Sequence, residues 1–135
     1  MHATLTWGSG NEVVLDHDNV GATLARAAAD AGDGSDIAVA GSGEAQMSIV
    51  VGDLTGTTLW YFSGDSAETA GFLSVGNRSA IDASDSEPPL VVNRFGNHTE
   101  FPRWSVVPHG LGEQALRDFI ENPTEPPRSV AWESL

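Results

Sequence analysis

The sequence predicts an α+β fold: a single domain over residues 1–135, with a mainly antiparallel, meandering sheet of about six to eight strands and two flanking helices. Three observations carry that prediction. From residue 36 to about 106, apolar residues alternate in short runs separated by turn residues, the period of half-buried strands. Two stretches, one on each side of that block, switch to the three-and-four spacing of an amphipathic helix. Strands therefore come as a run and not in alternation with helices, which separates this class from parallel α/β folds.

Taken in order, Leu5 and Trp7 alternate with Thr4 and Thr6 and predict a strand with one buried face. Gly8-Ser9-Gly10-Asn11 is a turn and leads to a second strand over residues 12–16, so the chain opens on a hairpin. Val20, Leu24, Ala27/Ala28 and Ala31 then recur at three and four, with Asp18 or Asn19 as N-cap and Ala31-Gly32-Asp33-Gly34 as the stop, predicting the first helix. The β block supplies Ile37/Val39, Met47/Ile49/Val51, Leu59/Tyr61 or Trp60/Phe62, Phe72 with Leu73/Val75, Leu90/Val92 and Trp104/Val106. Between these runs fall Gly41-Ser42-Gly43, Gly52-Asp53-Leu54-Thr55-Gly56, Gly64-Asp65 and Gly96-Asn97, all turn chemistry. After Pro108, the residues Leu111, Ala115, Leu116, Phe119 and Ile120 mark one helical face, until Pro123 stops the helix and Pro126-Pro127 prevents a restart. Residues 129–133 close the chain as a terminal strand. Phe101, Trp104, Phe119 and Trp132 read as core, and residues 79–89, with small residues, acids and a double proline, have least to bury.

Charge narrows the function. Nineteen Asp and Glu face six cations, all arginine, for a net charge of −13 and a pI near 4.3. There is no cysteine and no lysine. Disulfides, Cys-based zinc sites, thiol nucleophiles, a Schiff-base lysine and a P-loop lysine are all excluded. Direct nucleic-acid binding requires a cationic patch that this chain does not supply, so the acidity points to a basic partner. Residues 27–93 contribute −9 of the total, with Asp30, Asp33, Asp36, Glu44, Asp53, Asp65, Glu68, Asp82, Asp85 and Glu87 against Arg78 alone. Spread over turns and strand ends, these acids describe a charged face and not a tail, although a solvated face that keeps the protein soluble accounts for them equally well. The longest apolar runs are strand length, far short of the ~18 residues of a membrane span, and the N-terminus has no signal-peptide pattern, so a cytoplasmic protein is expected. On that expectation the sequons Asn77-Arg78-Ser79 and Asn97-His98-Thr99 are chance matches.

No motif carries catalytic chemistry. His2, His17, His98 and His109 show no metal-ligand pairing. Asp16-His17-Asp18 is the nearest cluster, but it lies where a strand hands over to a helix, and capping explains it more simply. Gly41-x-Gly43 runs into a strand and not a helix, so the dinucleotide fingerprint fails. In Gly71-Phe72-Leu73-Ser74-Val75-Gly76 the serine is one residue too far along for a nucleophile elbow, and reads as a strand residue. Carboxylate pairs are abundant, but no spacing singles one out. Trp60-Tyr61-Phe62 puts rings on both faces of one strand, so at least one ring needs cover from a second layer or serves as an interface anchor.

The segments Glu100-Phe101-Pro102-Arg103, Val106-Val107-Pro108, Ala115-Leu116-Arg117-Asp118-Phe119 and Pro127-Arg128-Ser129-Val130-Ala131-Trp132-Glu133 resemble immunity protein family one of the bacterial polymorphic toxin systems. Thr4-Leu5-Thr6-Trp7, the opening hairpin, the early helix and Ser74-Val75-Gly76 extend the resemblance over nearly the whole chain. The sequence departs from the pattern at Asn122-Pro123-Thr124-Glu125-Pro126, where a glycine-containing break is expected. The resemblance implies a small cytoplasmic protein that binds and neutralises a cognate toxin encoded beside it, commonly a zinc-dependent nucleic-acid deaminase of basic surface. It implies no catalysis, no metal or other cofactor, and a 1:1 heterodimer. A deaminase acting on single strands needs a cationic channel, which an acidic protein can occupy in place of substrate. The contact residues expected on that reading are Asp53, Asp65, Glu68, Asp82, Asp85 and Glu87, with Trp60 or Tyr61 as aromatic anchor. Two other readings compete: a non-catalytic acidic adaptor for another basic protein, and a small hydrolase using two buried carboxylates in a shared pocket.

Overall fold

The computed structural model describes residues 3–8, 10–31, 36–52, 56–64, 71–77, 89–94 and 97–134. The opening hairpin is β1 (Ala3–Trp7) and β2 (Asn11–Leu15), followed by α1 (Val20–Ala31). Four strands follow, β3 (Asp36–Ser42), β4 (Ala45–Val51), β5 (Leu59–Phe62) and β6 (Phe72–Val75). The second hairpin is β7 (Leu90–Arg94) and β8 (Asn97–Phe101), and the chain ends with α2 (His109–Glu121) and β9 (Ala131–Ser134). Seven strands form the main sheet in the order β2-β1-β3-β4-β5-β6-β9, every neighbouring pair antiparallel. The β7–β8 hairpin joins it through one parallel bridge, Asp36 to Asn93. With two helices against an antiparallel sheet the fold is α+β, as the strand run predicts.

The alternation of each strand divides the sheet into two faces. On the helix face, Leu5, Ala38, Ala40, Met47, Ile49, Leu59 and Tyr61 pack against Val20 and Ala27 of α1 and Ala115, Leu116 and Phe119 of α2. On the hairpin face, Ile37, Val50 and Leu73 lie beneath Leu90 and Val92 of β7 and Phe101 of β8, with Trp60, Trp104 and Val106 at the margin. Burying each large side chain in these two layers contributes about 1.5–3 kcal/mol. The β3–β4 turn, Gly43-Glu44, takes its positive φ of 60° at the glycine, as tight two-residue hairpin turns demand.

Three elements depart from the pattern read in the sequence. Trp104/Val106 is not a strand: Arg103–Ser105 is a 3-10 turn after Pro102, and only Val107 makes a bridge, to Thr57. β8 occupies residues whose polar sequence, Asn97-His98-Thr99-Glu100, hides a strand that pairs with β7 alone. In α2 the buried stripe is Gly112, Ala115, Leu116 and Phe119, while Leu111 is 40% exposed. The stripe starts one residue later than the apolar pattern suggests because Gly112 sits against β4 and the β5 approach. A Cβ there would lie 2.5 Å from Thr57 Cγ2 and 3.6 Å from Ile49 Cδ1.

A buried clip of hydroxyls ties the 3-10 turn to the sheet. Ser105 Oγ donates to Pro102 O at 2.7 Å, so the 2.9 Å contact between Thr58 Oγ1 and Ser105 Oγ has the threonine as donor. Ser74 Oγ donates to Ser105 O at 2.7 Å and accepts the Leu59 N–H at 2.9 Å. Thr57 Oγ1 donates to Val50 O at 2.7 Å. Each hydroxyl proton thus goes to a backbone carbonyl or another hydroxyl, which is how buried polar groups are kept inexpensive. Ser74 is a strand residue with a structural task, as its place in the sequence indicates.

Candidate functional site

Strand β5 fixes where its aromatic rings go. Tyr61 is fully buried on the helix face, its ring 6.2 Å edge-on from Phe119 and 6.4 Å from Phe72, and its hydroxyl donates to Pro123 O at 2.7 Å. Of the two anchors expected from the sequence, Tyr61 is therefore core, and it offers no ring to a partner. Trp60 and Phe62, one residue away on either side, are half-buried on the hairpin face. A second layer covers both sides of the strand, helices on one and the β7–β8 hairpin at the margin of the other.

Asp53, Asp65, Glu68, Asp82, Asp85 and Glu87 lie outside the described residues, as do ten of the eleven residues 79–89. The strands that launch them are described. β4 ends at Val51 and β5 at Phe62, and these strands are antiparallel, so the connections carrying Asp53 and Asp65/Glu68 leave opposite ends of the sheet. β6 ends at Val75, at the Val51 end, and launches the connection with Asp82, Asp85 and Glu87.

Around the Phe62 end the hairpin face carries two cross-strand rows. The first runs Glu12, Thr6, Val39, Ser48, Trp60, Leu73, Glu133, and the second runs Val14, Thr4, Gly41, Gln46, Phe62. Val39, Trp60 and Leu73 still touch the hairpin's core, whereas no residue of the second row belongs to it. Val14 is 56% exposed and Gln46 is exposed, while Thr4 and Gly41 between them and Phe62 beyond Gln46 are half-buried. The same end bears exposed Asp16, Asp18 and Glu44 in the turns that follow β2 and β3.

Four arginines are engaged elsewhere. Arg26 lies over the Trp7 ring at 5.3 Å, Arg117 pairs with Glu113 at 2.9 Å, Arg128 reaches Glu125 at 3.5 Å, and Arg103 reaches Pro89 O at 3.4 Å. None stands on the two rows. Asp16-His17-Asp18 forms a turn ahead of α1, and its organising residue is Asp16, not the Asp18 or Asn19 expected as N-cap. Asp16 Oδ1 accepts the N–H groups of Asp18 and Asn19 at 2.8 and 2.9 Å, and Asn19 Oδ1 accepts the Asp16 N–H at 2.8 Å. His17 contacts Glu121 of α2 at 2.7 Å. Among the described residues no three His, Asp or Glu gather to hold a metal ion, and no carboxylate is buried.

Two clefts remain. One, about 210 Å³, lies between α1 and α2 over the end of β4, walled by Leu24, Ala28, Ile49 and Val51 with His109 and Glu113 beside them. The other, about 170 Å³, lies past the end of α2 among Asp118, Glu121, Glu125 and Arg128. Its carboxylates already serve Gln114, His17 and Arg128 respectively. Neither cleft brings together the buried carboxylate pair that a hydrolase reading requires. Among the described residues no helix is long and apolar enough to cross a membrane. Compared with known proteins, residues 8–134 match the family model described as immunity protein Imm1. No curated protein matches the chain.

Proposed function

The chain belongs to the Imm1 immunity protein family, whose function is to neutralise a cognate toxin by binding it, and we propose that its toxin is a zinc-dependent nucleic-acid deaminase of basic surface. On this reading the protein acts without chemistry of its own. It forms a 1:1 complex in the cytoplasm of the producing cell and covers the toxin's active site or substrate groove. Charge is the observation that carries the proposal: −13 over 135 residues, with four of the six arginines tied to Trp7, Glu113, Glu125 and a carbonyl of the same chain. Such a surface has the sign of the nucleic acid it would displace from a cationic channel. Asp53, Asp65, Glu68, Asp82, Asp85 and Glu87 supply the field and Trp60 the ring at the contact.

The test mixes the purified chain with the toxin domain encoded beside it and follows base deamination on a single-stranded oligonucleotide. Activity should fall linearly with added chain and vanish at one equivalent. A toxin that is neutralised but deaminates neither DNA nor RNA would remove the deaminase assignment and leave the immunity function in place.

A further inference from the structure

Gly41 is the next-to-last residue of β3, an interior strand of the sheet, where it pairs on both sides and where a glycine gives the strand no side chain to pack. Neither ordinary reason for a glycine applies. Its φ is not among the positive ones, and a Cβ built on it meets nothing within 4 Å. Contrast Gly76, where a Cβ would lie against Val106 O, or Gly112 against Thr57. A bare backbone in a strand also lets something from outside the chain approach closely. Gly41 leaves a notch between its cross-strand neighbours Thr4 and Gln46, with Val14 at one end of the row and Phe62 at the other. The row crosses four strand spacings, about 19 Å, room for a loop or a helix of a partner.

We propose that this row of the hairpin face, centred on the Gly41 notch, is where the toxin docks, with a basic protruding element of the toxin seated over Gly41 between Val14 and Phe62. The proposal rests on the toxin-binding reading above and deepens it. Charge selects the occupant. Glu12, Asp16, Asp18 and Glu44 are exposed around the row, and the row carries no arginine. A second copy of this chain would bring the same acids against themselves, whereas a basic surface meets them with complementary charge.

Three variants test it by calorimetric titration against the catalytically inactivated toxin domain encoded beside this chain. Gly41→Trp fills the notch, Gln46→Arg adds a cation at an exposed position on the same row, and Ala29→Trp adds equal bulk at an exposed position of α1. Thermal melting checks that each folds. Gly41→Trp and Gln46→Arg should each raise Kd at least tenfold, with Ala29→Trp binding as the parent does. Unchanged affinity in both row variants overturns the surface and leaves the toxin reading standing. No binding by the parent chain overturns both. A parent that runs as a dimer, becomes a monomer with Gly41→Trp and keeps its toxin affinity makes the row a self-association contact and likewise overturns the proposal.

Discussion

Trp60 and Tyr61 are adjacent, and their fates differ because a strand sends successive side chains to opposite faces. The sequence shows that alternation, but not which face the helices cover, so either ring was an equal choice as anchor until Tyr61 proved to be bonded to Pro123 O in the core. Ser74 was legible as a strand residue, yet its partners were not, since Leu59 and Ser105 lie 15 and 31 residues away. Replacing Ser74 with Ala strands the buried Leu59 N–H and should cost about 1–3 kcal/mol. A urea titration reads this as a lowered midpoint with an unchanged slope, and a midpoint equal to the parent's would show that the clip contributes nothing. Tyr61→Phe loses one hydrogen bond of a buried hydroxyl, about 0.5–1.5 kcal/mol, and should leave toxin affinity unaltered.

At the scale of elements, strong periodicity made α1, α2 and the strands β1 to β6 readable. Legibility failed where tertiary context decides. β8 borrows its strand character from β7 and has little apolar pattern of its own. The 3-10 turn at Arg103–Ser105 is held by bonds from Ser105 back to Pro102 and onward to Ser74 and Thr58, contacts that local spacing does not announce. Gly112 gives the clearest test of context against propensity. In an exposed helix Gly→Ala gains roughly 1 kcal/mol. Here the new Cβ would stand 2.5 Å from Cγ2 of Thr57, a buried side chain pinned through its hydroxyl to Val50 O. Gly112→Ala should therefore lower the melting temperature, and a higher one would show that α2 can lift from the sheet without loss.

For the whole molecule, the net charge was readable from the first count, and its uneven distribution along the chain nearly as soon. What the sequence could not show was where the strands launch their connections: β5 ends at Phe62 and β6 at Val75, at opposite ends of the sheet. Reversing Asp82, Asp85 and Glu87 together reduces the long-range field and should slow toxin association while changing dissociation little. Raising ionic strength should do the same to the parent, within the ~10–1000-fold range that steering spans. An association rate indifferent to salt would remove charge from the account. The central claim is tested most directly in cells that express the cognate toxin domain. Co-expression of the chain should restore growth to that of toxin-free cells, and an undiminished toxicity with the chain abundantly present would contradict it.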